Sequence, residues 1–218
     1  MASYNPTHTL NPSSGYDASQ LSGKSIIITG GASGLGEAMT RAFAAAGAFV
    51  TIGDLNEQRS NALIDELGGA RKAAFVSCNV TKWADQVKLF KTAIASSPSR
   101  SVDVVVANAG VGGPDDVFND TADAEGEPVE PDLRILDTNL TGVMYTVKLA
   151  LHYFARQPAG EKGARDRALI MTASLAGYLD LPGNLQYDAS KFGVRGIMRG
   201  LRRSEGEKGV RVNIIAPW

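Results

Sequence analysis

The chain has 218 residues, of which 44% are hydrophobic and 21% are charged, and its formal net charge is −1. This composition is typical of a soluble globular protein, and the length suits one domain with a sizeable core. The nearly neutral charge argues against nucleic acid and against an anionic membrane surface as main partners. Cys78 is the sole cysteine, so no intrachain disulfide can form, which favours a reducing, cytoplasmic location.

The first 22 residues are polar and lack the basic start and apolar core of a secretory signal. We expect a flexible N-terminal tail over residues 1–22, followed by a single domain over residues 23–218. The sequence has no apolar run long enough to cross a membrane, so we expect no membrane insertion. It also has no pattern that predicts a metal site.

Strand-like and helix-like segments alternate along the rest of the chain. The predicted strands cover residues 24–29, 48–53, 72–77, 102–107, 168–172 and 210–215. The predicted helices cover residues 35–46, 57–67, 83–95, 133–154 and 187–205. Because these strands are apolar on both faces, the pattern predicts a parallel sheet covered by helices on each side. The expected fold is α/β, a Rossmann-like doubly wound sheet in three layers, with ligands beyond the carboxyl ends of its strands.

A glycine-rich turn at residues 29–36 joins the first strand to the first helix. Gly30 permits a tight turn, Gly34 lets the backbone approach a pyrophosphate, and Gly36 lets the helix pack closely. The free N–H groups of a helix N-terminus also suit a phosphate, so the turn, with Ser33 and Leu35, predicts cofactor binding. A simple strand-to-helix turn is the alternative, but it does not require three spaced glycines.

Asp54 follows the second predicted strand, where an acid can accept hydrogen bonds from the adenosine ribose. Its carboxylate would repel a 2′-phosphate, and neither residues 31–33 nor residues 55–56 include Lys or Arg. NAD is therefore favoured over NADP. Asp54 could also cap the next helix, which is compatible with the first role. Arg59 lies close enough to keep NADP as the less favoured alternative.

Tyr187 and Lys191 are four residues apart in a helical segment and so share one face. An ammonium beside a phenol favours the phenolate, which makes the tyrosine a usable acid or base near neutral pH. Such a pair also occurs on solvated helices, so its meaning depends on the surrounding motifs.

The segment 112–132 carries eight acidic residues and neither Lys nor Arg. A solvated surface loop is the simplest interpretation. If the segment flanks the site, it would disfavour anionic substrates.

The sequence closely resembles the classical short-chain dehydrogenases/reductases (SDRs) from about Lys24 to Trp218. The order and spacing of the matching motifs are jointly specific. These motifs are the glycine turn at 29–36, Asn108-Ala109-Gly110, Asn139, Ser174, Tyr187-x-x-x-Lys191, and Arg211-Val212-Asn213 leading to Pro217.

The resemblance implies four catalytic residues. Tyr187 would be the general acid/base, and Lys191 would hold the nicotinamide ribose beside it. Ser174 would bind the substrate oxygen, and Asn139 would organise a water that relays protons. Each has a simpler alternative: Ser174 could close a turn, Asn139 could bond the backbone, and Lys191 could be a surface lysine.

The resemblance also implies a set of cofactor contacts. Asn79 and Val80 match the pair that touches adenine, although Asp is commoner than Asn at the first position. The full set is Gly30, Ser33, Gly34, Leu35, Gly36, Asp54, Leu55, Asn79, Val80, Asn108, Ala109, Gly110, Tyr187, Lys191 and Pro217. A homodimer or homotetramer is implied as well, formed by the last helix and the 133–154 helix.

The expected activity is hydride transfer between NAD(P) and a secondary alcohol or ketone. Residues 175–186 should line the pocket and are mainly apolar, which favours a lipophilic or polycyclic substrate, although packing explains them equally well. By the resemblance, lid helices and a last strand would follow Trp218, so we expect a domain that is short at its C-terminus. It could be a truncated product, a natural short form that uses a partner's residues, or a non-catalytic or regulatory NAD-binding protein, which is the alternative function.

Overall fold

The computed structural model describes residues 17–157 and 166–218, and within these ranges six parallel strands form one sheet. The strands are β1 (Ser25–Thr29), β2 (Phe49–Asp54), β3 (Ala73–Ser77), β4 (Val104–Ala107), β5 (Arg167–Thr172) and β6 (Val210–Ile215). Their order across the sheet is β3-β2-β1-β4-β5-β6. The winding direction reverses between β1 and β4, so the predicted doubly wound α/β fold is confirmed.

Helices cover both faces of this sheet. They are α1 (Gly34–Ala45), α2 (Glu57–Leu67), α3 (Trp83–Ser96), α4 (Arg134–Leu136), α5 (Gly142–Arg156) and α6 (Leu185–Leu201). Side chains of β1 alternate between the faces: Ile26 and Ile28 pack with α1 and α2, whereas Ile27 packs with α3, α5 and α6. The three-layer arrangement is therefore as predicted. Within the described ranges, none of the helices is long and apolar enough to cross a membrane.

Most element boundaries agree with the sequence prediction, and α2 and β6 coincide with residues 57–67 and 210–215. Helix α6 is displaced, because it begins at Leu185 and ends at Leu201 instead of covering 187–205. A 3-10 turn at Gly206–Lys208 and the left-handed residue Gly209 (φ 77°) then lead the chain into β6. Glycine adopts this backbone conformation without steric cost, which lets the chain leave the 3-10 turn and enter β6.

The predicted long helix at 133–154 is interrupted near its start. A π-helical turn at Asp137–Thr141 separates α4 from α5. A π turn widens the helix locally, and such turns are frequent at functional sites. Asn139 lies within this turn and is fully buried. Hydrophobic periodicity does not distinguish a π turn from an α-helix, so the sequence prediction missed it.

Residues 1–16 of the expected tail lie outside the described residues. In the part that is described, Ser19–Leu21 form a 3-10 turn, and Leu21 packs against the apolar cluster under α1 and α2. The Gly23 N–H donates a 3.0 Å hydrogen bond to the Gly47 carbonyl oxygen. The residues just before β1 therefore contact the folded core.

Candidate active site

The carboxyl ends of β1, β4 and β5 surround a cavity of about 580 Å³. This is the crevice in which doubly wound sheets bind their ligands, and the volume is in the usual range for a small-molecule site. Many predicted site residues line it, namely Gly30, Ser33, Gly34, Leu35, Asn108, Ala109, Gly110, Ser174, Tyr187, Lys191 and Pro217. The remaining ones, Gly36, Asp54, Leu55, Asn79, Val80 and Asn139, do not line this cavity.

Two glycines of the turn are required by the local backbone geometry. Gly30 has φ +64°, and a Cβ on it would lie 2.9 Å from the Cα of Ala109. A Cβ on Gly36 would collide with the carbonyl oxygen of Gly30. The turn therefore brings the start of α1 against β1 and the loop after β4 more closely than larger residues would allow.

The start of α1 opens into the cavity through Ser33, Gly34 and Leu35. Ser33 is the N-cap residue and has an extended backbone, but its side chain accepts no capping hydrogen bond among the described residues. The first-turn N–H groups of α1 therefore receive no capping hydrogen bond from the Ser33 side chain. Such N–H groups, together with the helix dipole, can bind a phosphate oxygen.

The Asp54 carboxylate is held at the end of β2. Its Oδ2 accepts a 3.0 Å hydrogen bond from the Ala32 N–H, and its Oδ1 accepts a 3.0 Å bond from the Asn56 N–H. The alternative role of Asp54 as helix cap is wrong, because Asn56 is the N-cap of α2 and accepts a bond from the Arg59 N–H. Asp54 therefore braces the glycine turn from the β2 side.

Arg59 is the cation for which the sequence analysis kept NADP as an alternative, because it could bind the 2′-phosphate. Its Nε donates a 2.6 Å hydrogen bond to the Ala32 carbonyl oxygen, and its Nη2 lies 2.6 Å from Glu37 Oε2. Hydrogen bonds from Arg59 and then Arg41 hold the pKa of the Glu37 carboxyl below its ordinary value. The Arg59 guanidinium is therefore engaged within the protein.

The predicted adenine pair has its own internal contacts. Asn79 Oδ1 accepts bonds from the N–H and the hydroxyl of Thr81, at 3.0 and 2.9 Å. Since the Thr81 N–H must face an oxygen, the Asn79 amide orientation is settled, and its NH₂ group is the part left for a ligand. Val80 is buried, packs against Gly142, and its carbonyl oxygen accepts a bond from Gln86.

Asn108 joins the ends of three strands. Its Nδ2 donates to the carbonyl oxygens of Thr29 and Gly30, each at 3.1 Å. Its Oδ1 accepts a 3.0 Å hydrogen bond from the Thr172 hydroxyl. The Asn108 side chain therefore holds the strand ends together beside the cavity. Ala109 and Gly110, which follow it in sequence, also line the cavity.

Asn139 fixes the loop that follows Gly110. Its Oδ1 accepts a 2.8 Å hydrogen bond from the Val111 N–H, and its Nδ2 donates to the Val111 carbonyl oxygen at 2.9 Å. The same Nδ2 donates a 3.3 Å bond to Ser190 Oγ on α6. The simpler alternative, in which Asn139 bonds the backbone, is therefore observed. Together, these hydrogen bonds connect the π turn to the loop after β4 and to α6.

Lys191 and Tyr187 lie on one face of α6 and both line the cavity. Lys191 is only 4% exposed, so its alternative as a surface lysine is wrong. Its Nζ donates a 3.0 Å hydrogen bond to the Thr172 carbonyl oxygen and is 5.4 Å from the centre of the Tyr187 ring. Burial lowers the pKa of Lys191 to about 8, because desolvation disfavours the ammonium form.

Ser174 follows β5 and faces the same cavity. Its Oγ accepts a 3.1 Å hydrogen bond from the Ala176 N–H, which caps the 3-10 turn Leu175–Gly177. The turn-closing alternative is thus observed, but accepting this bond leaves the hydroxyl hydrogen free to donate. The Leu175 N–H donates to the Pro217 carbonyl oxygen at 3.0 Å, which holds the end of β6 beside Ser174.

The segment expected to form a pocket wall does border the cavity, through Leu181 and Asn184. Tyr178, Leu179 and Leu185 of the same stretch of chain are exposed and do not line the cavity. Sequence reasoning did not name Val111, Gly112 or Thr172 as site residues. Each is close in sequence to a predicted residue, and that proximity was the available signal.

Within residues 17–157 and 166–218, no group of three or more His, Cys, Asp or Glu residues could hold a metal ion.

Comparisons with known proteins identify the family. The profile of the short chain dehydrogenase family matches residues 24–218. The chain belongs to this family. It is accordingly an oxidoreductase that acts on CH–OH groups and uses a nicotinamide cofactor.

Individual relatives agree with this family assignment. The chain is 37% identical to 5′-hydroxyaverantin dehydrogenase of Dothistroma septosporum, over 93% of this chain and 69% of that protein. It is 33% identical to NADP-dependent dehydrogenase clz5 of Cochliobolus lunatus, over 97% of this chain and 76% of that protein. A crystal structure of 3-ketoacyl-(acyl-carrier-protein) reductase from Brucella melitensis complexed with NADH superposes with a TM-score of 0.77, at 29% identity, over 90% and 76% of the two chains.

Proposed function

We propose that this short-chain dehydrogenase is an NAD-preferring enzyme that interconverts a lipophilic secondary alcohol and its ketone. The observation that carries the proposal is the convergence of Tyr187, Lys191 and Ser174 on the cavity that begins at the glycine turn. An acid/base, a cation and a hydroxyl donor are the groups that alcohol oxidation requires around the reacting carbon.

The residues present fit a nicotinamide dinucleotide. The uncapped start of α1 offers N–H groups for the pyrophosphate, and the close packing at Gly30 and Gly36 supports that approach. Lys191 Nζ reaches the cavity floor, where it would hold the nicotinamide ribose. When bound, the nicotinamide supplies the hydride acceptor or donor.

The chain's own residues would move the proton. In the oxidation direction, the Tyr187 oxygen accepts the proton of the substrate hydroxyl while Ser174 donates a hydrogen bond to the same substrate oxygen. The Lys191 ammonium, 5.4 Å from the ring centre, stabilises the negative charge that Tyr187 carries before it takes this proton. Asn139 uses both N–H groups of its side chain on Val111 and Ser190, so the water that it would organise would donate to an oxygen of Asn139.

The preference for NAD is supported by the charges at the end of β2. The Asp54 carboxylate would repel a 2′-phosphate, and Arg59 is already paired with Glu37 and with the Ala32 carbonyl oxygen. The two relatives differ in the cofactor that they are named with. The structure of the Brucella melitensis reductase contains NADH, whereas the Cochliobolus lunatus relative is named as NADP-dependent. Isothermal titration with NAD⁺ and NADP⁺ would decide, and tighter NADP⁺ binding would contradict the proposal.

A lipophilic substrate is supported by Leu181, which lines the cavity, and by the exposed apolar side chains of Leu179 and Tyr178 close to it in sequence. The exposed acidic residues of segment 112–132 would disfavour an anionic substrate. The relative named 5′-hydroxyaverantin dehydrogenase also supports an alcohol as substrate. A panel of cyclic secondary alcohols, neutral and carboxylated, would test the class through the NADH absorbance band.

The decisive experiment compares Tyr187→Phe with Tyr145→Phe, which removes a phenolic hydroxyl from α5 instead. We expect Tyr187→Phe to lower kcat by about a thousandfold with NAD⁺ affinity within about twofold, whereas Tyr145→Phe keeps both values. Near-normal turnover of Tyr187→Phe would contradict the assignment. Binding of NAD⁺ without turnover of any panel alcohol by the unaltered protein would favour the non-catalytic alternative.

Assembly and location also belong to the proposal. The family resemblance supports a homodimer or homotetramer, which light scattering after size-exclusion chromatography would test. The unpaired, buried thiol of Cys78 is compatible with a cytoplasmic location, which cell fractionation would test.

A further inference from the structure

The acidic segment 112–132 meets the catalytic helix at one buried point. Asp115 is only 7% exposed, whereas residues 117–132 of the segment are exposed to solvent. Its carboxylate contacts Gln186, which is fully buried and directly precedes Tyr187. The general interpretation as a solvated loop is therefore correct for residues 117–132 but not for Asp115.

Asp115 caps α6 from a distant part of the chain. Its Oδ2 accepts a 2.6 Å hydrogen bond from the backbone N–H of Gln186, 71 residues away. The first N–H groups of a helix need acceptors from outside the helix, and Asn184, the N-cap residue, supplies no side-chain bond among the described residues. A carboxylate at this position also interacts favourably with the helix dipole.

The Gln186 side chain also hydrogen-bonds to the acidic segment, at two separate positions. Its Nε2 donates to Asp115 Oδ1 at 3.0 Å and to the Asp132 carbonyl oxygen at 2.9 Å. Because both partners are acceptors, the amide nitrogen must face them, so the orientation of the Gln186 amide is determined. The first turn of α6 is thereby bonded to a carboxylate and a carbonyl group outside the helix.

The position of the Tyr187 ring depends on that first turn. Rotation of the turn would displace the Tyr187 hydroxyl relative to Lys191, which is anchored one turn later by its bond to Thr172. Catalytic groups need to be held within a fraction of an ångström, so an anchor at the adjacent residue has direct consequences for rate.

We propose that Asp115 is a positioning residue for Tyr187, acting through the hydrogen bonds that it makes to Gln186. The proposal rests on the proposed role of Tyr187 as acid/base. Asp115 would not touch substrate or cofactor; it would set the orientation of the residue that does.

Two variants and a matched control test this. Asp115→Ala removes both acceptors. Asp115→Asn keeps an acceptor for the Gln186 N–H but places an NH₂ group against Gln186 Nε2. Asp120→Asn is the control, because it removes the same charge from an exposed position of the same segment for which the structure gives no hydrogen bond. Thermal unfolding identifies a temperature at which all variants are folded, and the measurements are made there.

The first readout follows Tyr187 without turnover. In protein labelled with 3-fluorotyrosine, ¹⁹F NMR resolves the six tyrosines, and Tyr187→Phe assigns the Tyr187 signal. We expect this signal to shift or broaden in Asp115→Ala, to change less in Asp115→Asn and to stay unchanged in Asp120→Asn. An unchanged Tyr187 signal in Asp115→Ala would overturn the proposal.

The second readout is steady-state turnover of cyclohexanol with NAD⁺. We expect kcat to fall about tenfold or more in Asp115→Ala and less in Asp115→Asn, with the KM for NAD⁺ within about twofold. A KM for NAD⁺ that rises as much as kcat falls would indicate general disruption and contradict positioning. If the unaltered protein does not oxidise the alcohol, the proposed function fails with this probe, and the NMR result alone decides whether Asp115 orients Tyr187.

Discussion

Lys191 Nζ on α6 donates a 3.0 Å hydrogen bond to the carbonyl oxygen of Thr172, the last residue of β5. This bond joins the helix that carries the proposed acid/base to the edge of the sheet at which the ligands of this fold bind. It satisfies one N–H of an ammonium that is otherwise removed from water. The remaining N–H groups are available to a ribose hydroxyl.

Burial of Lys191 predicts a pH-dependent stability. Its pKa is lowered to about 8 by desolvation, so between this value and its ordinary value of 10.5 the unfolded state binds more protons than the folded state. The free energy of unfolding should therefore rise with pH across this window. Lys191→Met lacks this titration and serves as the reference. Relative to it, the free energy of unfolding of the cofactor-free protein should increase by about 2 kcal/mol between about pH 7.5 and about pH 10.

Urea unfolding of both proteins at the two pH values measures this difference. The subtraction removes the titrations that the two proteins share. The prediction fails if Lys191→Met and the unaltered protein change in parallel.

The ion pair between Glu37 and Arg59 predicts a way to change cofactor selection. Glu37→Gln removes the negative charge that pairs with Arg59 Nη2 at 2.6 Å, which leaves the guanidinium charge available to a 2′-phosphate. We expect NADP⁺ affinity to rise about tenfold with NAD⁺ affinity within about threefold, as measured by isothermal titration.

Glu66→Gln is the matched control. It removes another carboxylate that pairs with Arg41, at 2.7 Å, but that does not bond Arg59. Its NADP⁺ to NAD⁺ affinity ratio should equal that of the unaltered protein. The explanation is wrong if both variants shift this ratio equally, or if adding Arg59→Ala to Glu37→Gln does not reverse the shift.

Substitution of Gly36 should destabilise the fold strongly. A Cβ at this position meets the Gly30 carbonyl oxygen and lies 2.7 Å from Asn108 Nδ2, so Gly36→Ala must separate α1 from β1. We expect a loss of about 3 kcal/mol in the free energy of unfolding.

Gly196→Ala provides the contrast, because a Cβ there meets no described heavy atom within 4 Å and the residue lies inside α6. It should stabilise the protein by about 0.5–1 kcal/mol through the higher helix propensity of Ala. Equal effects of the two substitutions in chemical denaturation would refute the packing argument.

Cys78 should be unreactive in the folded protein. It is 2% exposed, and its pKa is raised to about 12, first by burial and then by the charges of Asp85 and Asp54. Iodoacetamide at about pH 8 should leave Cys78 unmodified in the native state and alkylate it in guanidinium chloride, as read by mass spectrometry. The added thiol of Ser204→Cys, at an exposed position, should react under both conditions. Rapid native alkylation of Cys78 would contradict its burial.

The sequence by itself determined the features that depend on neighbouring residues. Alternating apolar strands and amphipathic helices predicted the doubly wound sheet, and the bounds of α2 were predicted to the residue. The glycine turn and the Tyr187–Lys191 pair were also visible, because each is a short pattern within one strand, turn or helix. Family resemblance added Asn139 and Ser174, which otherwise look like ordinary polar residues.

The tertiary structure decided which distant groups meet. The carboxylate of Asp115 reaches Gln186, and Arg59 pairs with Glu37 rather than remaining free, although neither contact has a local sequence signal. The π turn contains Asn139, whose side chain bonds Val111 on another segment, and neither the turn nor this contact has a local sequence signal. Local patterns report backbone preference and burial, whereas hydrogen bonds and ion pairs between segments depend on distances that exist only once the sheet and helices have packed.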